Sequence, residues 1–128
     1  MDSDLWIVFV ALLLPYVPYL MVAFEKNRRG IYDRANPRDS NAQLAGWSAR
    51  AKAAEANSWE ALLAWLAVTW IAREAGAEPQ LALGVAWVGS RLAYLAAYVA
   101  GFGNLRIATW FVGVILILAR FALALGTS

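Results

Sequence analysis

Leu5-Trp-Ile-Val-Phe-Val-Ala-Leu-Leu-Leu-Pro-Tyr-Val-Pro-Tyr-Leu-Met-Val-Ala-Phe24 runs for twenty residues without a charged side chain. A bilayer core about 30 Å thick takes roughly 20 apolar residues per helix. The stretch therefore reads as a membrane span. Asp2 and Asp4 precede it. A secretory signal has a basic start and a small-residue cleavage site, so a retained helix is expected. Pro15 and Pro18 lie inside, and each removes a backbone donor, so each is expected to kink the helix.

Outward from this run the chain repeats the theme. Residues 25–47 are the most polar stretch, with Lys26, Arg28, Arg29, Arg34 and Arg38 and an Asn36-Pro37 turn signal. A second span is expected over 50–72, amphipathic at first and apolar later. Residues 73–78 then turn the chain, with Gly76 and Pro79 as breakers. A third span follows over 79–102, broken by Gly101, Gly103 and Asn104, and a fourth over 105–125. Together they predict an all-α integral membrane protein, a single four-helix membrane domain covering 1–128.

The composition agrees. Of 128 residues, 62% are hydrophobic and 16% charged, and mean hydropathy is +0.53; a soluble domain is nearer 45–50% apolar and about 25% charged. Four spans take about 80 residues, which leaves no room for a soluble domain. The chain has neither His nor Cys. That excludes His-ligated haem, Cys/His zinc sites, cysteine nucleophiles, disulfides and imidazole acid–base chemistry, and no metal site is expected. Thiol chemistry here would need a thiol brought by the substrate. The net charge of +2 gives no ground for a nucleic-acid partner.

Lys/Arg bias sets orientation. Lys26, Arg28, Arg29, Arg34, Arg38, Arg50, Lys52 and Arg106 fall on one side. Arg73 falls on the other, where Arg120 is expected to snorkel outward. The loop 25–47 is thus predicted to be cytoplasmic, with both termini outside. Trp6, Trp47 and Trp70 sit near span ends, as interface anchors do.

Polar groups within a span are costly and need a reason. At about 100° per residue, Arg50 and Asn57 lie about 20° apart, and Glu60 about 60° from Asn57. These three share a face of span two. Lys52 lies opposite and Glu55 off the face, and both are expected to reach water. On span three Arg91, Tyr94 and Tyr98 form one stripe. A second stripe, Gly89, Ala93, Ala97 and Gly101, permits close helix approach, within the chain or between subunits. Glu60 and Arg91 fall near the bilayer midplane and are predicted to pair, within or between subunits. Arg50, Asn57, Tyr98 and Arg106 lie nearer the cytoplasmic surface and supply donors for an anionic ligand.

Arg50-Ala51-x-x-Ala54-x-x-Asn57-x-x-Glu60 resembles the signature helix of the MAPEG family, the membrane-associated proteins in eicosanoid and glutathione metabolism. Arg91-x-x-Tyr94-x-x-x-Tyr98, followed eight residues later by Arg106, resembles that family's second signature. Asn36-Pro37, Gly46-Trp47 and Asn57-Ser58-Trp59-Glu60 resemble its short bacterial members, which implies a multi-pass bacterial inner-membrane protein. The resemblance implies a homotrimer with glutathione sites between adjacent subunits, open to the cytoplasmic side. It implies that Arg50, Asn57, Glu60, Arg91, Tyr94 and Tyr98 hold glutathione, with Arg28 or Arg29 as a further contact. Arg106 would face the thiolate as the catalytic residue. The chain departs from glutathione-active relatives at Ala53, where they often carry arginine, and at Glu55, where they carry His or Gln.

Three functions are weighed on these residues. The first is a glutathione-dependent transferase or peroxidase acting on lipophilic small molecules. The second is a non-catalytic lipid-binding or scaffold protein on the same fold. The third is a small multidrug exporter, which would place a carboxylate in the first span; 5–24 has none.

Overall fold

The structure is a computed structural model and describes residues 2–127. All its regular structure is helical: α1 (Ser3–Leu13), α2 (Tyr16–Arg28), a short 3-10 helix (Asp39–Gln43), α3 (Trp47–Glu74), α4 (Leu81–Ala100) and α5 (Gly103–Thr127). The first expected span is thus two helices. Pro15 has no amide to continue the ladder, yet Leu14 and Pro15 keep right-handed helical dihedrals, so the chain runs on through the break. Pro18 does not add a second one. It falls in the first turn of α2, where amides have no intrahelical partner to lose.

Three segments are long and apolar enough to cross a membrane: Ser3–Arg28, Leu81–Ala100 and Gly103–Thr127. The fourth, α3, is 28 residues long, about 42 Å at 1.5 Å per residue. Arg50, Lys52, Glu55 and Glu60 keep its first half from reading as apolar. The helix packs against α1, α2, α4 and α5, so it touches every other α-helix of the bundle. Large apolar side chains such as Leu20, Phe24, Leu63, Trp70, Ile115 and Leu118 point outward. That inside-out pattern suits a lipid solvent.

The core lies between α1, α3 and α4: Ile7, Ala11, Leu62, Trp65, Val68 and Trp87. Trp65 and Trp87 stack at 4.7 Å between ring centroids, 14° from parallel. Lipid tails are as apolar as these residues, so close packing, not water exclusion, must hold the helices together. Gly84 shows what that requires. A Cβ there would lie 2.6 Å from Ile7 Cγ1, so α1 touches the α4 backbone directly. Gly84→Val is expected to lower stability by about 1–3 kcal/mol through overpacking, read as a fall in melting temperature in detergent. An unchanged melt would show that the contact is loose.

The small-residue stripe on α4 is used differently from one of the expected alternatives. Only Ala97 of that set is buried in the chain; Gly89, Ala93 and Gly101 are exposed. The close approaches made within the chain fall at Gly84 and at Gly113, which faces Ser90 and Arg91.

At the end of the bundle opposite the 25–47 loop, the Asp4 carboxylate accepts from Arg120 Nη2 at 2.6 Å and from the Gln80 amide at 3.2 Å. Arg120 Nη1 donates to the Glu78 carbonyl at 3.1 Å. Arg73 pairs with Asp2 beside them. Arg120 therefore does not snorkel: it is fully buried, because α1 and the α3–α4 turn bring its counter-ion to it.

Candidate functional site

The polar residues of α3, α4 and α5 converge on one groove. Asn57, Tyr94, Arg106, Ile107 and Trp110 line a cleft of about 140 Å³. Asn57, Glu60, Arg91, Trp110 and Gly113 are among the residues lining an adjoining one of about 170 Å³. The two share Asn57 and Trp110, so they form one polar strip on the flank of the subunit. Helical spacing brings them there: Asn57 and Glu60 are one turn apart on α3, and Arg91 and Tyr94 one turn apart on α4.

Arg91 is buried and donates from Nη2 to Asn57 Oδ1 at 2.6 Å. Its guanidinium lies 4.3 Å from the Tyr94 ring centroid. Arg106 stacks over Tyr98 at 4.8 Å, and the Tyr94 and Tyr98 rings meet edge to face at 5.6 Å. Cation–π contact orients a guanidinium without neutralising it. Among the described residues no carboxylate lies within ion-pair distance of Arg91 or Arg106. Two cations and one carboxylate, Glu60, leave the strip net positive. That charge balance suits an anion better than a cation.

The expected Glu60–Arg91 pair does not form within the chain. Asn57, one turn before Glu60, reaches Arg91 instead, and Glu60 is exposed on the outer face of α3. Arg50 has other work too. Its Nε and Nη2 both donate to the Val99 carbonyl, at 3.1 and 3.0 Å, satisfying an orphan acceptor in the last turn of α4. Gly101 follows with φ +86, the left-handed cap that lets the chain turn into α5. A Cβ at Gly101 would sit 3.6 Å from the Arg50 guanidinium. Arg50 thus ties the start of α3 to the end of α4 and lines neither cleft.

Arg28 and Arg29 also lie outside the strip. Arg28 makes a two-pronged pair with Glu25, at 2.7 and 2.8 Å. Arg29 donates to the Gln43 carbonyl at 2.9 Å and so holds the loop. Within that loop Asp33 accepts from the Ala35 and Asn36 amides, at 2.9 and 3.3 Å. This Asx turn leads into Pro37 as the turn signal implied. The Ala35 amide hydrogen bond is the main cause holding the Asp33 carboxyl below its ordinary value.

Glu55 overturns another expectation. It is buried, not water-facing, because α2 packs over that side of α3. It pairs with Lys52 at 2.8 Å and lines a separate cleft against α2. Its negative charge is therefore spent away from the Asn57 strip. Trp110, which lines both parts of the strip, was missed by sequence reading. Only its spacing of four from Arg106 could have flagged it.

Comparison with known proteins adds the last element. No curated protein matches the chain. A family model described as the MAPEG family matches residues 4–126, nearly all of it, from the start of α1 to the end of α5. With this coverage and this arrangement of helices, the chain belongs to the MAPEG family.

Proposed function

We propose that this protein is a glutathione-dependent transferase or peroxidase acting on lipophilic electrophiles, at sites shared between subunits of a homotrimer. The observation that carries the reading is Arg106, held by Tyr98 beside Asn57 and Tyr94 with no carboxylate partner among the described residues. Glutathione fits the donor set. A carboxylate matches Arg91 and the thiolate matches Arg106, and the Asn57 amide and the Tyr94 hydroxyl add neutral hydrogen-bonding groups. When bound, it supplies the thiol that this chain lacks.

The chain's own residues then have defined tasks. Arg106 favours the thiolate over the thiol, as a nearby cation does. Arg91 and Asn57 fix the carboxylate end. Trp110 and the apolar flank of α5 face the bilayer, where a lipophilic substrate is already concentrated. Neither cleft reaches the roughly 300–1,000 Å³ of ordinary ligand pockets, which supports a neighbouring subunit as the missing wall. The exposed Glu60 and the exposed Gly89 and Ala93 on α4 support the same assembly. Ultraviolet absorbance of purified protein with millimolar glutathione at neutral pH tests the reading. A thiolate band is the expected result, and its absence would remove the proposal.

One observation favours a second reading, a lipid-binding or scaffold protein without catalysis. Ala53 is exposed on α3, where glutathione-active relatives often place a cation. Calorimetry with no glutathione heat, alongside an ordered lipid between subunits, would support it.

A further inference from the structure

A larger cleft lies on the other side of α3. It measures about 700 Å³ and opens between α2, the 25–47 loop and α3. It shares no lining residue with the Asn57 strip. Its two ends differ in chemistry. Lys26, Arg38 and Lys52 stand at the loop end with the carboxylates Asp39 and Glu55; Tyr16, Tyr19 and Trp59 form the deeper wall. Tyr16 and Lys26 are ten residues apart, about 15 Å along a helix, so the cleft runs from the membrane surface well into the apolar layer.

Lys26 is the unusual group. Its side chain is buried, yet its ammonium donates only to neutral acceptors, the Pro37 carbonyl at 2.7 Å and Asn41 Oδ1 at 2.5 Å. Among the described residues it has no carboxylate within ion-pair distance. An ammonium has three donors, so one is left for a ligand. Glu55 pairs with Lys52, and Asp39 also lines the cleft, so its three cations and two carboxylates leave one positive charge in excess. The aromatic wall is half-exposed on the outer surface, with Tyr16 and Trp59 edge to face at 5.5 Å, so a lipid can enter sideways without leaving the bilayer.

We propose that this cleft is a binding site for an anionic phospholipid, its phosphate on Lys26, Lys52 and Arg38 and one acyl chain along Tyr16, Tyr19 and Trp59. The polar end coincides with the most basic part of the chain, where anionic headgroups gather. The site needs no glutathione and does not depend on the reading of the Asn57 strip.

Native mass spectrometry of the detergent-purified chain, titrated without glutathione, tests this. Palmitoyl-oleoyl phosphatidylglycerol is expected to bind at least about fivefold more tightly than the matching phosphatidylcholine, the scale of one cation near an anionic surface. Glycerol phosphate and oleate, the headgroup and a chain alone, are expected to bind more weakly than either. Lys52→Gln and Arg38→Gln together should weaken phosphatidylglycerol about twentyfold and leave phosphatidylcholine unchanged, with Lys52→Arg near wild type. Equal affinity for the two phospholipids, tighter binding of oleate or glycerol phosphate, or a double variant that binds like wild type would each overturn the proposal.

Discussion

Asp4→Asn is expected to cost about 3–5 kcal/mol of stability, the scale for removing one partner of a buried ion pair. The Arg120 guanidinium is fully buried, and its Nε already lacks a partner. Without the Asp4 charge, only the Glu78 carbonyl remains to it. The same substitution weakens the acceptor for the Gln80 amide, so α1, the α3–α4 turn and α5 loosen together. The check is a denaturant or thermal melt in a fixed detergent. Asp4→Leu with Arg120→Leu should recover much of the loss, because a matched apolar pair leaves no buried charge behind. If Asp4→Asn melts like wild type, the pair is solvated in the membrane-embedded protein and the knot is not structural.

Arg106→Gln carries the largest expected effect on activity, about 10²-fold in turnover, typical of losing one electrostatic stabiliser at a reacting centre. Under the proposed chemistry the cation lowers the pKa of the bound thiol. Its removal lets that pKa return toward about 8.5, so the thiolate population at neutral pH falls. The sign follows: activity of the variant should climb as pH rises past that value, while wild type is already near its plateau. Arg106→Lys should recover part of the rate, since the charge stays but the planar stack on Tyr98 is lost. A variant with wild-type absorbance and an unshifted pH profile would make Arg106 a helix anchor only.

Much of this protein was legible in the sequence. The helices, the turn at Asn36-Pro37 and the break at Gly101 came from hydropathy and backbone chemistry, both local properties. Asn57, Arg91 and Tyr94 were legible because helical spacing puts each on a known face, and Arg106 through its depth and the family resemblance; the structure brings the four to one groove. The choice among partners was not legible. Arg91 had Asn57 and Glu60 within one turn of each other, and which one it bonds depends on the rotation of α3 against α4. Arg50 read as a ligand donor until the end of α4 supplied a carbonyl for it.

The two ends of the bundle show the same division. Hydropathy and length alone determined that the chain is an all-helical membrane protein, with three segments apolar enough to cross a bilayer. The bilayer is the solvent, and its thickness is a property of the lipid, not of the fold. The tertiary structure alone decided where each buried charge finds its partner. Asp4 and Arg120 lie 116 residues apart, and Lys26 meets Pro37 and Asn41 only because the loop folds back over α2. In a low-dielectric interior a charge is governed by what stands within a few ångströms, and local sequence patterns do not encode that neighbourhood.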